Sequence, residues 1–130
     1  MTYVRYKQCI LIVDDEKVIA DTLALILNAI GYESKAVYSG EAALETAERF
    51  KPDILISDVI MGGINGLELA ILVSKRHPNC KIILFSGQAS TADLIAQTGP
   101  QGHMFEVLAK PVRPQILIEH VKRLAPPANA

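Results

Sequence analysis

A short apolar run near the middle of the chain reads DILISDV over residues 53–59. Runs of this length that are rich in branched aliphatic residues are typical of strands buried on both faces of a parallel sheet. This run ends in an acid, Asp58. A second run, Cys9–Val13, has the same character and is followed by Asp14 and Asp15. Both predicted strands are therefore expected to deliver carboxylates at their carboxyl ends.

Strand and helix patterns alternate along the rest of the chain. Apolar runs predict further strands at 34–38, 81–85 and 104–108. Apolar residues at helical spacing predict helices through 18–29, 42–50, 67–76 and 114–124, with a short helix over 91–97. Gly31 and Pro52 are placed to end the first two helices, Ser39 to cap the second and Pro114 to begin the last.

Five rounds of strand and helix with short connections imply a parallel sheet with helices on both faces. Because crossovers are right-handed, few topologies remain. We expect a single α/β domain built on a doubly wound, five-stranded sheet of order 2-1-3-4-5, the flavodoxin-like arrangement. In such sheets the ligand site lies outside the carboxyl ends of the strands, at the switch point between strands 1 and 3.

Composition narrows the class of protein. The chain has 130 residues, of which 50% are hydrophobic and 21% charged, which suits one folded domain. A net charge of −1 without a basic stripe argues against direct binding to nucleic acid. No apolar run approaches the ~18 residues of a membrane span, and the N-terminus lacks signal-peptide features. A cytoplasmic location is therefore expected, with Cys9 and Cys80 as free thiols.

Reactive side chains follow the carboxyl ends of four predicted strands. Strand 1 delivers Asp14 and Asp15, strand 3 Asp58, strand 4 Ser86 and strand 5 Lys110. Because these strands are neighbours, the five side chains should meet in one crevice. The carboxylates would raise one another's pKa values without a cation, and Mg²⁺, or Mn²⁺, fits such oxygen ligands. The lysine and the hydroxyl suit the stabilisation of a phosphoryl group on the third carboxylate.

With these residues in place, the sequence resembles the CheY-like receiver domains of bacterial response regulators in two-component signal transduction. The resemblance rests on four motifs in order: ILIVDDE at 10–16, DILISDVIM at 53–61, FSG at 85–87 and LAKP at 108–111. It implies a receiver domain over 8–125, with an N-terminal extension at 1–7 and a tail at 126–130. The stretch 125–130, with two prolines, is expected to fray.

The resemblance also implies a role for each matching residue. Asp58 would accept a phosphoryl group from a sensor histidine kinase or a phosphotransfer protein. Asp15 would bind the metal directly, Asp14 mainly through water, and the backbone carbonyl of Ile60 would complete the metal site.

Two residues would act on the phosphoryl group itself, according to the same resemblance. Ser86 would donate its hydroxyl to the phosphoryl group, and Lys110 would pair with the phosphoryl oxygens. The peptide bond before Pro111 would be cis. The chain would then catalyse only its own phosphorylation and dephosphorylation, and phosphorylation would switch a protein-interaction surface, with a homodimer as one outcome.

Two departures from the family pattern affect the expected switch. Gly62 stands where the family usually has proline, so the loop after Asp58 is expected to be looser. Val107 stands at the position of the usual aromatic switch residue and has no ring to move. We therefore expect activation to reorder the segment 88–103 more than any side chain on strand 5.

Two other functions are alternatives to a signalling switch. A Mg²⁺-dependent aspartyl-phosphate phosphatase or phosphotransferase usually carries a second acid two residues after its nucleophile, but Ile60 holds that position. A flavodoxin-like cofactor binder would need a phosphate loop after strand 1, where this chain is acidic. Taken singly, the acids could be helix-terminal charges, and Ser86 and Lys110 turn or surface residues. Met1 and the short tail favour a single-domain regulator over an excised input domain, and the sequence names neither kinase nor target.

Overall fold

A computed structural model of the chain describes residues 7–87 and 105–127. Five parallel strands pair in the order β2-β1-β3-β4-β5, which confirms the predicted fold class and strand order. The elements are β1 (Cys9–Val13), α1 (Lys17–Ala29), β2 (Glu33–Val37), α2 (Gly40–Phe50), β3 (Ile54–Asp58), α3 (Gly66–Arg76), β4 (Lys81–Ser86), β5 (Glu106–Ala109) and α4 (Pro114–Leu124). The helix predicted over 91–97 and the segment 88–103 lie outside the described residues.

Two apolar layers cover the sheet, one on each face. Alternate residues of β1 and β3 point to opposite faces, so Leu11 and Leu55 belong to one layer and Ile10 and Ile54 to the other. Helices α2 and α3 pack on the first face, and α1 and α4 on the second. Helices therefore flank both faces, as the sequence predicts, and β1 and β3 are buried on both sides.

The ends of several elements differ from the sequence prediction. Strand β2 is Glu33–Val37 rather than 34–38, and β3 is Ile54–Asp58 rather than 53–59. Strand β5 is Glu106–Ala109; of its predicted range 104–108, residue 104 lies outside the described residues. Hydrogen-bonded pairing with the neighbouring strands, such as Ile54 beside Lys81 and Ser86 beside Ala109, sets these limits, and composition does not report it.

Local signals fix most of the helix ends. Ser39 and Asn65 cap α2 and α3 by accepting hydrogen bonds from the backbone N–H groups of Ala42 and Glu68. Gly31 follows α1 with a φ of 108°, the conformation that a glycine after a helix supplies. In the described ranges, 7–87 and 105–127, no helix is long and apolar enough to cross a membrane.

The start of the expected frayed tail is held in place. Ala125 is buried, and its carbonyl accepts a hydrogen bond of 2.7 Å from the hydroxyl of Tyr32, which is itself buried. Its N–H group donates to the carbonyl of Val121. The expectation of fraying from residue 125 is therefore wrong at that residue, because a buried tyrosine needs a partner for its hydroxyl. Cys9 and Cys80 are free thiols, as predicted.

Candidate functional site

The carboxyl edge of the sheet carries the first of the predicted site residues, Asp14. It follows the last residue of β1, and its N–H group donates to the carbonyl of Val37 at the end of β2. The residue is only 1% exposed. One carboxylate oxygen, Oδ1, accepts a 2.9 Å hydrogen bond from the N–H group of Glu16, just before α1. The carboxylate is therefore fixed by the turn that joins strand to helix.

Burial dominates the electrostatics of Asp14 and raises its pKa above the ordinary value for an aspartate. The hydrogen bond from Glu16 and the positive charge of Lys110 oppose this rise, whereas the negative charges of Asp58 and Asp15 add to it. Burial thus makes the ionised form of Asp14 less favourable, and a nearby cation would stabilise it.

Asp58 ends β3 and lies beside Asp14 because the two strands are paired in register up to Val13 and Ser57. It is 6% exposed. Its Oδ2 atom accepts a 2.6 Å hydrogen bond from Nζ of Lys110, and its Oδ1 accepts a longer one of 3.3 Å from the N–H group of Ile60. The carboxylate is bound by one cation and one backbone amide.

Lys110 reaches Asp58 from the end of β5. Its N–H group donates to the carbonyl of Ser86, which ties the end of β5 to the end of β4. The peptide bond to Pro111 is cis, as predicted. Burial would lower the pKa of Lys110, but the hydrogen bond and charge of Asp58 outweigh it, so the pKa is raised. The lysine is therefore charged at neutral pH.

Ser86 is the last residue of β4 and is 6% exposed. In the sheet, Asp58 pairs with Phe85, the residue before Ser86. Ser86 itself pairs with Ala109, the residue before Lys110. The structure therefore puts this hydroxyl residue at the same edge as the carboxylates. Its predicted contact with a phosphoryl group stays a prediction.

Three carboxylates form a group that could hold a metal ion. One oxygen from each of Asp14, Asp15 and Asp58 lies within 4.8 Å of the others. Asp15 is exposed, while the other two are buried. Oδ2 of Asp14 is buried and accepts no hydrogen bond from the part of the chain that the structure describes. A buried, unbonded oxygen beside two further carboxylates suits a hard divalent cation such as Mg²⁺.

Ile60 contributes through its backbone. Its side chain is 55% exposed, so it is not anchored by packing, whereas the next residue, Met61, is buried against the core. The N–H group of Ile60 faces Asp58. The predicted role of its carbonyl as a metal ligand stays a prediction.

Gly66 is a residue whose importance the sequence did not reveal. The helix predicted from residue 67 begins one residue earlier, at Gly66. A Cβ atom at this position would lie 2.1 Å from the carbonyl oxygen of Asp58 and 2.8 Å from Cα of Val59. Its N–H group donates to the carbonyl of Val59 at 2.8 Å. Glycine thus lets α3 begin directly against the end of β3, and only its place before an amphipathic helix hinted at this.

Comparisons with known proteins match this geometry. The family model described as the response regulator receiver domain matches residues 10–122. A CheY-like receiver domain protein from Methanospirillum hungatei is 28% identical, with a TM-score of 0.82, covering 91% of this chain and 93% of that one. Chemotaxis protein CheY4 of Vibrio cholerae is 26% identical, with a TM-score of 0.81, covering 92% of this chain and 99% of that one.

A curated relative is longer. The DNA-binding response regulator MtrA of Mycobacterium tuberculosis is 25% identical over 116 residues, which cover 89% of this chain and 50% of MtrA. The chain therefore spans about half the length of the curated relatives that it matches.

Proposed function

Because this chain belongs to the response regulator receiver domain family of two-component signalling, we propose that Asp58 is its phosphoacceptor. The observation that carries the proposal is the pairing of a buried carboxylate with Lys110 at 2.6 Å, inside a group of three carboxylates. Asp58 is the member of that group that the lysine holds directly. A carboxylate that forms an aspartyl phosphate gains negative charge, which neighbouring positive charges stabilise.

In the proposed reaction, a carboxylate oxygen of Asp58 attacks the phosphorus of a phosphodonor. A new O–P bond forms, and the bond from phosphorus to the leaving group breaks, the leaving group taking the electron pair. Lys110 stays charged and follows the phosphoryl oxygens, and Ser86 donates its hydroxyl to one of them. The donor is a histidine kinase or a phosphotransfer protein, the partners of receiver domains in general.

The residues that would hold Mg²⁺ are Asp15, Asp58 and the carbonyl of Ile60, with Asp14 acting mainly through water. Bound there, the ion would neutralise charge on the phosphoryl oxygens during transfer. The donor set supports this assignment because it consists of oxygen atoms, which Mg²⁺ prefers, with Mn²⁺ as a substitute.

Receiver domains are signalling phosphoacceptors rather than conventional enzymes. Membership of this family therefore disfavours the alternative function, a Mg²⁺-dependent aspartyl-phosphate phosphatase or phosphotransferase. The finer proposal is that this chain catalyses only its own phosphorylation and dephosphorylation. We further propose that it works in the cytoplasm, since its two free thiols are typical of reducing compartments. We assign the receiver domain to residues 8–125. Its phosphorylation would change a contact with a target protein or form a homodimer, and we assign it no direct contact with nucleic acid.

The test is phosphorylation of the full chain by acetyl phosphate in the presence of Mg²⁺. Intact-mass measurement should show one added phosphoryl group on the wild type, and none on Asp58→Asn or when the metal is chelated. The matched control is Asp53→Asn, because Asp53 lies at the opposite end of β3 and bonds to the N–H group of Cys9. Labelling of Asp58→Asn at the wild-type level would overturn the assignment.

A further inference from the structure

The loop between β3 and α3 is fixed at both ends. At its start, the N–H groups of Val59 and Ile60 donate to the carbonyl of Phe85 and to Oδ1 of Asp58. At its end, Gly66 packs against the backbone of Asp58. These contacts fix where the loop leaves β3 and where it enters α3. Between them, Met61 is buried in the core and Ile64 packs against it, so the two residues between them, Gly62 and Gly63, are the part that core packing does not hold.

The middle of the loop is built to bend. Gly62 is exposed, and a Cβ atom there would meet no atom within 4 Å. Gly63 has a φ of 73°, in the left-handed region that side chains disfavour. Two adjacent glycines leave this stretch with more conformational freedom than any other pair of residues would. Without an outside contact, the conformation of this glycine pair would vary, and the carbonyl of Ile60, two residues before it, would be oriented less strictly.

The outside contact comes from α2. Oε2 of Glu41 accepts a 3.3 Å hydrogen bond from the N–H group of Ile64. A Cβ atom at Gly63 would lie 2.7 Å from the same oxygen, so glycine at that position lets the carboxylate approach the backbone. A Cβ atom at Gly40 would lie 2.9 Å from both Cβ and the carbonyl oxygen of Ile64, so the backbones of α2 and the loop also meet closely.

The backbone of Glu41 is well fixed, while its carboxylate lies at the exposed surface. It lies in the first turn of α2, which Ser39 caps through a 3.1 Å hydrogen bond from the N–H group of Ala42. The buried residues Ala43 and Ala47 anchor the same helix to the core. A carboxylate in a helix's first turn is also favourably placed in the field of the helix. The contact therefore joins a flexible loop to a rigid element.

We propose that Glu41 is a positioning residue for the phosphoacceptor site, a role that rests on the function proposed above. By holding Ile64, it restricts the glycine pair, and through the pair it keeps Ile60 beside Asp58. Groups that orient a metal or a reacting carboxylate act by pre-organisation, so their loss lowers affinity and rate more than it lowers stability. Glu41 acts through the loop and touches neither the metal nor the phosphoryl group.

The experiment compares three variants of the full, ¹⁵N-labelled chain. Glu41→Ala removes the acceptor, Glu41→Gln keeps an amide oxygen in its place, and Glu45→Ala is the matched control. Glu45 lies one turn further along α2, is exposed, and has an ion pair of 4.0 Å with Arg49 but no bond to the loop among the described contacts. The readouts are Mg²⁺ affinity from amide shifts, hydrogen exchange at Ile60 and Ile64, the acetyl phosphate labelling rate, and thermal stability.

For Glu41→Ala we expect Mg²⁺ affinity and labelling rate each to fall roughly fivefold, less than the ~10–100-fold of groups that bond a metal ligand directly, because Glu41 acts through the loop. Exchange at Ile60 and Ile64 should rise, while thermal stability stays within that of Glu45→Ala. Glu41→Gln should recover most of the loss, and adding Gly62→Ala to Glu41→Ala should recover part of it by restricting the loop.

Two outcomes overturn the proposal. The first is that Glu41→Ala equals Glu45→Ala in Mg²⁺ affinity and in hydrogen exchange at Ile60. The second is that Mg²⁺ affinity falls only in proportion to thermal stability and that neither Glu41→Gln nor Gly62→Ala restores it. The outcome for the function is separate. If the wild type is not labelled but Glu41→Ala still changes Mg²⁺ affinity and exchange at Ile60, the phosphoacceptor assignment fails and the positioning role stands.

Discussion

Among glycine-to-alanine substitutions at the described glycines, Gly66→Ala should disturb the proposed phosphoacceptor Asp58 most. The added Cβ would lie 2.1 Å from the carbonyl oxygen of Asp58 and 2.8 Å from its carbonyl carbon. Both neighbours are backbone atoms, so no side chain can rotate away. Ordinary contact requires α3 and the end of β3 to separate by about 1 Å or more.

The expected cost follows from two opposing effects. Overpacking of this kind destabilises proteins by about 1–3 kcal/mol, while alanine is a better helix former than glycine by up to ~1 kcal/mol. The second effect is small here because Gly66 is the first residue of α3. We expect a net loss of about 2 kcal/mol, or a fall in Tm of roughly 8 °C for a domain of this size.

Chemical denaturation and acetyl phosphate labelling would test the effect together. The control is Gly62→Ala, where the new Cβ would meet no atom within 4 Å and φ lies outside the left-handed region, so stability should change by less than ~0.5 kcal/mol. Gly66→Ala should also slow labelling of Asp58, because its carbonyl must move. Equal stability and equal labelling in the two variants would refute the account of Gly66.

Two further substitutions test the charges at the site and on β5. Lys110→Met should lower the free energy of unfolding by about 1–3 kcal/mol without Mg²⁺, because Asp58 loses its 2.6 Å partner. In thermal melts, added Mg²⁺ should stabilise this variant more than the wild type. Equal stabilisation of both would contradict the idea that Lys110 and Mg²⁺ neutralise the same carboxylates. Glu106 on β5 contacts His120 and Arg123 on α4, and these contacts outweigh its burial and lower its pKa. Since the folded-state pKa lies below the unfolded one, Glu106 stabilises the fold above the ordinary pKa of 4.5 and less as pH falls below it. Glu106→Gln should therefore cost up to about 1 kcal/mol at pH 7 and progressively less in urea titrations below pH 4.5; a loss that is the same at pH 3 and pH 7 would exclude the ion pairs as its cause.

The features that sequence predicts well here are those set by local pattern. Buried strands show as apolar runs, and the acid after each run marks its carboxyl end, so Asp14 and Asp58 could be placed side by side before any coordinates existed. Caps such as Ser39 and the bend at Gly31 are likewise read from neighbouring residues. Right-handed connections left few possible strand orders, and the expected order 2-1-3-4-5 is the observed one.

The features that sequence did not predict depend on close approach between distant elements. Gly66 directly precedes the predicted helix 67–76, and nothing in its sequence neighbours reports that a Cβ atom there would lie 2.1 Å from the carbonyl oxygen of Asp58. The bond from Tyr32 to Ala125 joins residues 93 positions apart, so the tail was wrongly expected to fray there. Glu41 is one of several acids on α2, and only the structure singles it out by its contact with Ile64.

The charge pattern of the site explains why metal binding and phosphorylation should depend on each other. Three carboxylates face one lysine, so the site is negative before any phosphoryl group arrives. A phosphoryl group on Asp58 adds further negative charge where Asp14 is already buried and its ionised form disfavoured. Lys110 carries one positive charge, which cannot neutralise both the carboxylates and a phosphoryl group. A divalent cation held by these carboxylates would reduce the repulsion in both the unphosphorylated and the phosphorylated state, and most in the more negative one. The ion should therefore bind more tightly after phosphorylation, and by linkage it favours transfer to Asp58 to the same extent.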